Sequence, residues 1–105
     1  MTKLSNSNIM NHYSADDIIC IEAESSYSTI HFIEKKVFTS KTLKHWENTI
    51  TDHSMIRVHK SFTINKLFVK SLLRKPCLIE MVNGKTIPIS RSHKKYVLNI
   101  LSKIS

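Results

Sequence analysis

The chain has 105 residues, 41% hydrophobic and 23% charged, the make-up of one small globular domain with a modest core. Its 16 Lys+Arg against 8 Asp+Glu give a net charge of +8, so a polyanionic partner is expected. The single glycine, Gly84, excludes a P-loop, a dinucleotide-binding fingerprint and a nucleophile elbow, each of which needs several glycines where backbone must turn sharply or approach a ligand.

The charge is segregated. Residues 1–52 carry five basic and seven acidic groups, whereas residues 53–105 carry eleven basic groups and Glu80 as their only acid. The whole positive excess belongs to the second half, which predicts an electrostatic footprint on one region.

Residues 1–13 read as a polar, flexible tail and residues 14–105 as the domain. No apolar leader core and no run long enough to span a bilayer occur, so no membrane insertion is expected. Cys20 and Cys77 lie far apart without a C-x-x-C pairing. Two buried thiols in a reducing cytoplasm are the expectation, not a zinc site or a disulfide framework.

Asp17 to Ala23 is a short, β-branched apolar run that predicts a buried strand. A polar break at Glu24-Ser25-Ser26 leads into an alternating strand over Tyr27 to Ile33. Tyr27, Thr29, His31 and Ile33 share one face of it, and Ser28, Ile30 and Phe32 the other. Val37 to Thr39 follows as a third strand of a meander. Leu43, Trp46 and Ile50 recur at helical spacing within Ser40 to Ile50, with Ser40 or Thr42 available as the N-cap.

Met55 to Phe62 alternates again and reads as one strand, with Phe62 buried; Ile64 to Lys66 is a short turn. Leu67 to Leu73 is a further apolar segment, ended by Lys75-Pro76. Cys77 to Val82 and Lys85 to Ile89 flank Asn83-Gly84, a hairpin signature in which both central residues are expected at positive φ. Pro88 restricts its strand to an edge or an irregular position. From Ser92 the period becomes helical, with Tyr96, Val97, Ile100, Leu101 and Ile104 as the apolar stripe. The fold class is therefore mainly β with short helices (α+β): small antiparallel sheets with one internal and one C-terminal helix.

No catalytic or metal-binding constellation stands out. The six histidines lack metal-ligand spacing, and the scattered carboxylates offer no base with a set of metal ligands. No catalytic residue, metal or cofactor is expected. Nucleic-acid chemistry is better served, since Lys, Arg and Ser side chains bind phosphates and Arg or Lys read base edges. Three polar clusters near strand ends fit it: Glu24 to Ser28, His59 to Ser61, and Ser90 to Lys95. Lys94 and Lys95 open a helix, where cations oppose the helix dipole unless an anion binds there.

In this order the motifs resemble the LytTR family of bacterial DNA-binding domains. Ile18-Ile19-Cys20-Ile21-Glu22-Ala23 and Tyr27 match its opening strands, and Thr42-Leu43-Lys44 with Glu47 its internal helix. Arg57-Val58-His59-Lys60-Ser61-Phe62, with Ile64-Asn65, matches its central segment. Asn83-Gly84, with Ile87-Pro88-Ile89-Ser90-Arg91, matches its final hairpin.

The resemblance implies a cytoplasmic, response-regulator-like transcription regulator whose loops enter successive major grooves of double-stranded DNA at repeated promoter sites. Ser28, Lys60 and Arg91 would be the base or phosphate contacts of three loops, with Arg91 reading guanine. Ser61, Ser90, Ser92, Lys94 and Lys95 would contact neighbouring backbone. Two departures matter. Ser25 and Ser26 stand where members often carry Gly-Asn, and 105 residues leave no room for a phosphoacceptor receiver domain. A homodimer, tandem monomers on DNA and control by a regulatory protein partner all remain compatible with the sequence. The competing readings are a basic β-rich protein-interaction module and an RNA-binding module using Tyr27 and Phe62.

Overall fold

The computed structural model describes residues 15–50 and 54–102. The tail expected over 1–13, and Ile104 of the last helix, lie outside the described residues. A 3-10 turn at Ala15–Asp17 leads into β1 (Ile18–Glu24), β2 (Tyr27–Phe32), β3 (Lys36–Thr39) and α1 (Leu43–Thr49). There follow β4 (Met55–His59), β5 (Phe62–Asn65), a 3-10 turn (Lys66–Phe68), β6 (Val69–Arg74), β7 (Cys77–Met81) and β8 (Thr86–Pro88). A last 3-10 turn (Arg91–His93) runs into α2 (Lys94–Ser102).

The strands form two antiparallel sheets, ordered β3-β2-β1-β5-β4 and β6-β7-β8. β1 is the central strand of the larger sheet, so both its faces are covered and Ile18, Ile19, Cys20 and Ile21 are all buried. A β-bulge between Ile18 and Cys20 makes this possible, because one extra residue shifts the alternation. Ile18 and Ile21 thereby share the α1 face with Ile30, Phe32, Val37, Leu43, Trp46 and Ile50. Ile19 and Cys20 join the opposite core with Ile56, Val58, Ile64, Ile79, Met81, Ile87, Val97 and Leu101. The larger sheet thus lies between α1 on one face and the smaller sheet with α2 on the other.

Local chemistry sets the element ends. Thr42 is the N-cap of α1, its hydroxyl accepting from the His45 N–H at 3.2 Å. Buried Asn65 donates through Nδ2 to the Ile18 carbonyl and accepts through Oδ1 from the Leu67 N–H. It therefore stitches β5 to β1 while starting the next turn. Pro88 lies in β8, an edge strand as expected, where its missing N–H breaks no ladder.

Several expectations need correction, among them the turn at Ile64 to Lys66, since Ile64 and Asn65 end β5. The run from Met55 to Phe62 is not one strand but a hairpin, β4 and β5 turning at Lys60-Ser61. The Asn83-Gly84 turn has positive φ at Gly84 alone, 88°. The Gly84 N–H reaches the Met81 carbonyl, and the Asn83 side chain accepts from the Lys85 N–H. That is a three-residue loop closed by a left-handed glycine rather than a two-residue turn. Cys77 and Phe62 are half-buried, whereas Cys20 is fully enclosed; burial pushes the Cys20 thiol up to about 12.

Candidate nucleic-acid interface

The end of the larger sheet that carries the β1–β2 and β4–β5 turns gathers the polar clusters. β1 pairs with β5 through Glu22 and Phe62, and the Ala23 N–H donates to the Ser61 carbonyl at 2.8 Å. These contacts set the Ser25-Ser26 turn beside the Lys60-Ser61 turn. Val58 is the extra residue of a β-bulge in β4, so its carbonyl is turned from the β5 ladder. It accepts instead from the Ser90 N–H at 3.0 Å. One bulge therefore docks the segment after β8 onto the β4–β5 hairpin.

That segment is internally tied. The Ser90 hydroxyl lies 2.5 Å from His93 Nδ1 and 3.3 Å from the Ser92 hydroxyl. The His93 N–H returns to the Ser90 carbonyl at 3.0 Å. Arg91, Ser92, Lys94 and Lys95 are exposed around this 3-10 turn and the start of α2, and Lys60 is exposed at the tip of its hairpin. Ser61 and Ser90 are half-buried. Lys60, Ser61, Ser90, Arg91, Ser92, Lys94 and Lys95 thus come from two segments that one backbone hydrogen bond joins.

Ser28 does not join them. It lies within β2, not in a loop, and has no solvent exposure. Its hydroxyl donates to the Lys41 carbonyl at 2.7 Å and accepts from the Trp46 indole Nε1 at 3.0 Å. The Thr39 hydroxyl also lies within 3.0 Å. A hydroxyl enclosed this way fastens α1 to β2 and offers nothing to a duplex. The alternation of β2 carried the warning, because Ser28 shares its face with Ile30 and Phe32, both in the α1 core.

The first turn presents Ser25 and Ser26 instead, both exposed. Ser25 adopts φ 57°, the left-handed region a glycine enters without cost. Lys41 and Lys44 were missed by the sequence reading. Both are exposed, and the pairing of Ser28 with Thr39 brings the exit of β3 to the same end. Only the β2–β3 register reveals this, since the two lysines follow a strand of four residues.

On the other face of the sheet, Glu22 Oε1 lies 3.3 Å from His31 Nε2 and 3.3 Å from Lys85 Nζ. Lys85 Nζ also stands 5.8 Å from the Phe62 ring centroid. The β7–β8 hairpin is thereby tied to β1 and β5. Burial holds the His31 imidazole below its usual range, with Lys85 and Lys36 adding to the effect and the bond to Glu22 opposing it. No group of three His, Cys, Asp or Glu among the described residues could hold a metal ion.

A mostly antiparallel β fold whose basic turns converge at one sheet end has the form of a nucleic-acid-binding domain. The LytTr DNA-binding domain family matches residues 10–102, and the chain belongs to that family. It is 28% identical over 88 residues to the sensory transduction protein LytT of Bacillus subtilis, covering 81% of this chain and 36% of that protein. With the sensory transduction protein LytR of Staphylococcus saprophyticus it shares 28% identity over 83 residues, 76% of this chain and 33% of that protein. The chain thus spans about a third of the length of these relatives. A solved LytTr DNA-binding domain from Bacillus cereus superposes with a TM-score of 0.75 at 24% identity, covering 85% of this chain and 84% of that one. It shows the same fold.

Proposed function

We propose that the chain is the sequence-specific DNA-reading module of a transcription regulator, and that it presents its turns to successive major grooves at repeated promoter sites. The observation that carries this reading is the hydrogen bond from Ser90 to Val58, which holds Arg91 and Lys60 on adjoining segments. Arg91 is the base reader, because its planar fork matches guanine O6 and N7. Lys60 reaches a base or a phosphate from the hairpin tip. Ser61, Ser90, Ser92, Lys94 and Lys95 hold the flanking backbone, and Lys41 and Lys44 extend the phosphate-binding strip from the exit of β3.

Selection of bound duplexes from a random pool at near-physiological salt tests this directly. Short repeats about one helical turn apart are the expected result. Retention without a recovered motif, lost as salt rises, would leave only a basic surface. On the selected duplex, Arg91→Ala should cost about 1–3 kcal/mol and relax preference at one base position. Lys94→Ala should weaken selected and random duplexes alike. Equal losses on both duplexes for Arg91→Ala would reduce that residue to a phosphate contact.

A further inference from the structure

The turn that carries Lys60 has one common turn residue, Ser61. His59, Lys60 and Ser61 connect β4 to β5 without glycine, proline or asparagine, and the nearest side chain supplies what the backbone lacks. The Arg57 guanidinium donates from Nε to the His59 carbonyl at 2.6 Å and from Nη2 to the Lys60 carbonyl at 2.6 Å. Its remaining nitrogen, Nη1, pairs with Glu47 Oε1 on α1, an oxygen that also accepts from the Thr63 hydroxyl at 3.3 Å. From the far side of the turn, the Ser61 N–H donates to His59 Nδ1 at 3.1 Å.

We infer that Arg57 is the positioning residue for DNA reading by the β4–β5 turn: it acts through Lys60, with Glu47 of α1 holding the guanidinium in place. The inference rests on the DNA-reading function proposed above. Two successive carbonyls gripped by one planar group fix the plane of both peptides, and hence the direction in which the Lys60 side chain leaves the turn. The third donor aims the guanidinium at α1, so the turn is referred to the rigid helix–sheet core rather than to solvent. Lysine cannot replace this arrangement, because its single ammonium centre lacks the fork that spans the carbonyls and the carboxylate together. Arg57 spends its donors on the turn carbonyls and on Glu47, and Lys60 stands exposed at the tip beside half-buried Ser61.

The test compares Arg57→Lys, which keeps the net charge, with the wild type on the selected duplex. Affinity for the selected duplex is expected to fall about tenfold, the scale of one lost charged hydrogen bond. In a Lys60→Ala background the same substitution should cost clearly less than it does alone, since the main residue it positions is gone. Full additivity of the two losses would overturn the inference. So would a salt slope shallower by about one when Arg57→Gln is added to the Lys60→Ala background, the mark of a direct phosphate contact by Arg57.

The free protein gives an independent readout. In Arg57→Lys, ¹⁵N order parameters of His59 to Ser61 should drop to values typical of mobile loops while β1 and β2 stay rigid; an equally rigid turn would overturn the inference. Should Arg57→Lys fail to fold, Glu47→Gln serves in its place, with a smaller loss in the same direction, and no loss there counts against the inference. A wild-type protein that selects no duplex would defeat the DNA-reading function, while the order parameters still decide whether Arg57 holds the turn.

Discussion

The Ser28 hydroxyl sits between the Trp46 indole and the Lys41 carbonyl, with Thr39 at its side. Replacing it with alanine removes the 2.7 Å bond to the Lys41 carbonyl and leaves that carbonyl only the Thr39 hydroxyl at 3.5 Å, while the indole keeps Thr39 at 3.1 Å. Ser28→Ala should therefore lower unfolding free energy by about 1 kcal/mol, read as a shifted urea midpoint with an unchanged slope. DNA affinity per folded molecule should stay as in the wild type; a selective loss of affinity would restore Ser28 to the contact surface. Ser25 makes the opposite case. At φ 57° its Cβ crowds the following carbonyl, so Ser25→Gly should raise stability by about 1 kcal/mol. No gain in the midpoint would mean that the Ser25 side chain repays the strain. The sequence marked this position through its departure from Gly-Asn, but the polar cluster Glu24 to Ser28 and the family resemblance both put Ser28 among the contacts, although its own alternation set it on the face of Ile30 and Phe32.

Among the elements, those governed by local chemistry were legible. The Thr42 cap, the edge position of Pro88 and the helix after Ser92 follow from residue types with strong backbone preferences. The β4–β5 turn was not, because its carbonyls are held by a side chain three residues upstream of Lys60, and Ser61 alone, without glycine, proline or asparagine, is a weak turn signal. The β-bulge in β1 was equally silent, since a continuous apolar run looks the same with or without an extra residue.

A further consequence at this scale concerns the junction of β1, β2 and the β7–β8 hairpin. His31 is held neutral by burial, with Glu22, Lys85 and Lys36 around it. Its folded pKa lies below the unfolded one, so the unfolded chain takes up a proton first as pH falls. The stabilisation is fully present above about 6.5 and is lost as pH drops through the lower folded value. Unfolding free energy should accordingly decline on acidification below pH 6.5, and His31→Gln should flatten that part of the curve. An unchanged slope in the variant would assign the decline to other groups.

For the molecule as a whole, the charge asymmetry read from the sequence survives folding in a modified form. Lys60, Arg91, Lys94 and Lys95 come from the basic half, yet Lys41 and Lys44 of the acidic half stand at the same sheet end. The acids of that half are partly withdrawn into pairs, Glu22 with His31 and Lys85, and Glu47 with Arg57. Each lysine or arginine that meets a phosphate should add about −0.9 to the slope of log affinity against log salt. A slope of about −4 or steeper is expected from this cluster by titration in increasing salt; one near zero would exclude it as a phosphate-binding surface. Composition revealed the sign of this field, but only the strand register revealed where it is concentrated.

The central place of β1 has a bearing on how the chain is made. β1 emerges first, and its hairpin with β2 and β3 can form as soon as those strands follow. Its other edge stays bare until Phe62 to Asn65 have been synthesised, since its second partner is β5. During that interval a nascent strand of four fully apolar core residues, Ile18 to Ile21, presents unpaired N–H and C=O groups along one side. Vectorial synthesis therefore leaves one edge of an apolar strand unpaired until β5 arrives. A ribosome pausing before residue 62 would prolong that exposure, and one running quickly through the Arg57 segment would shorten it.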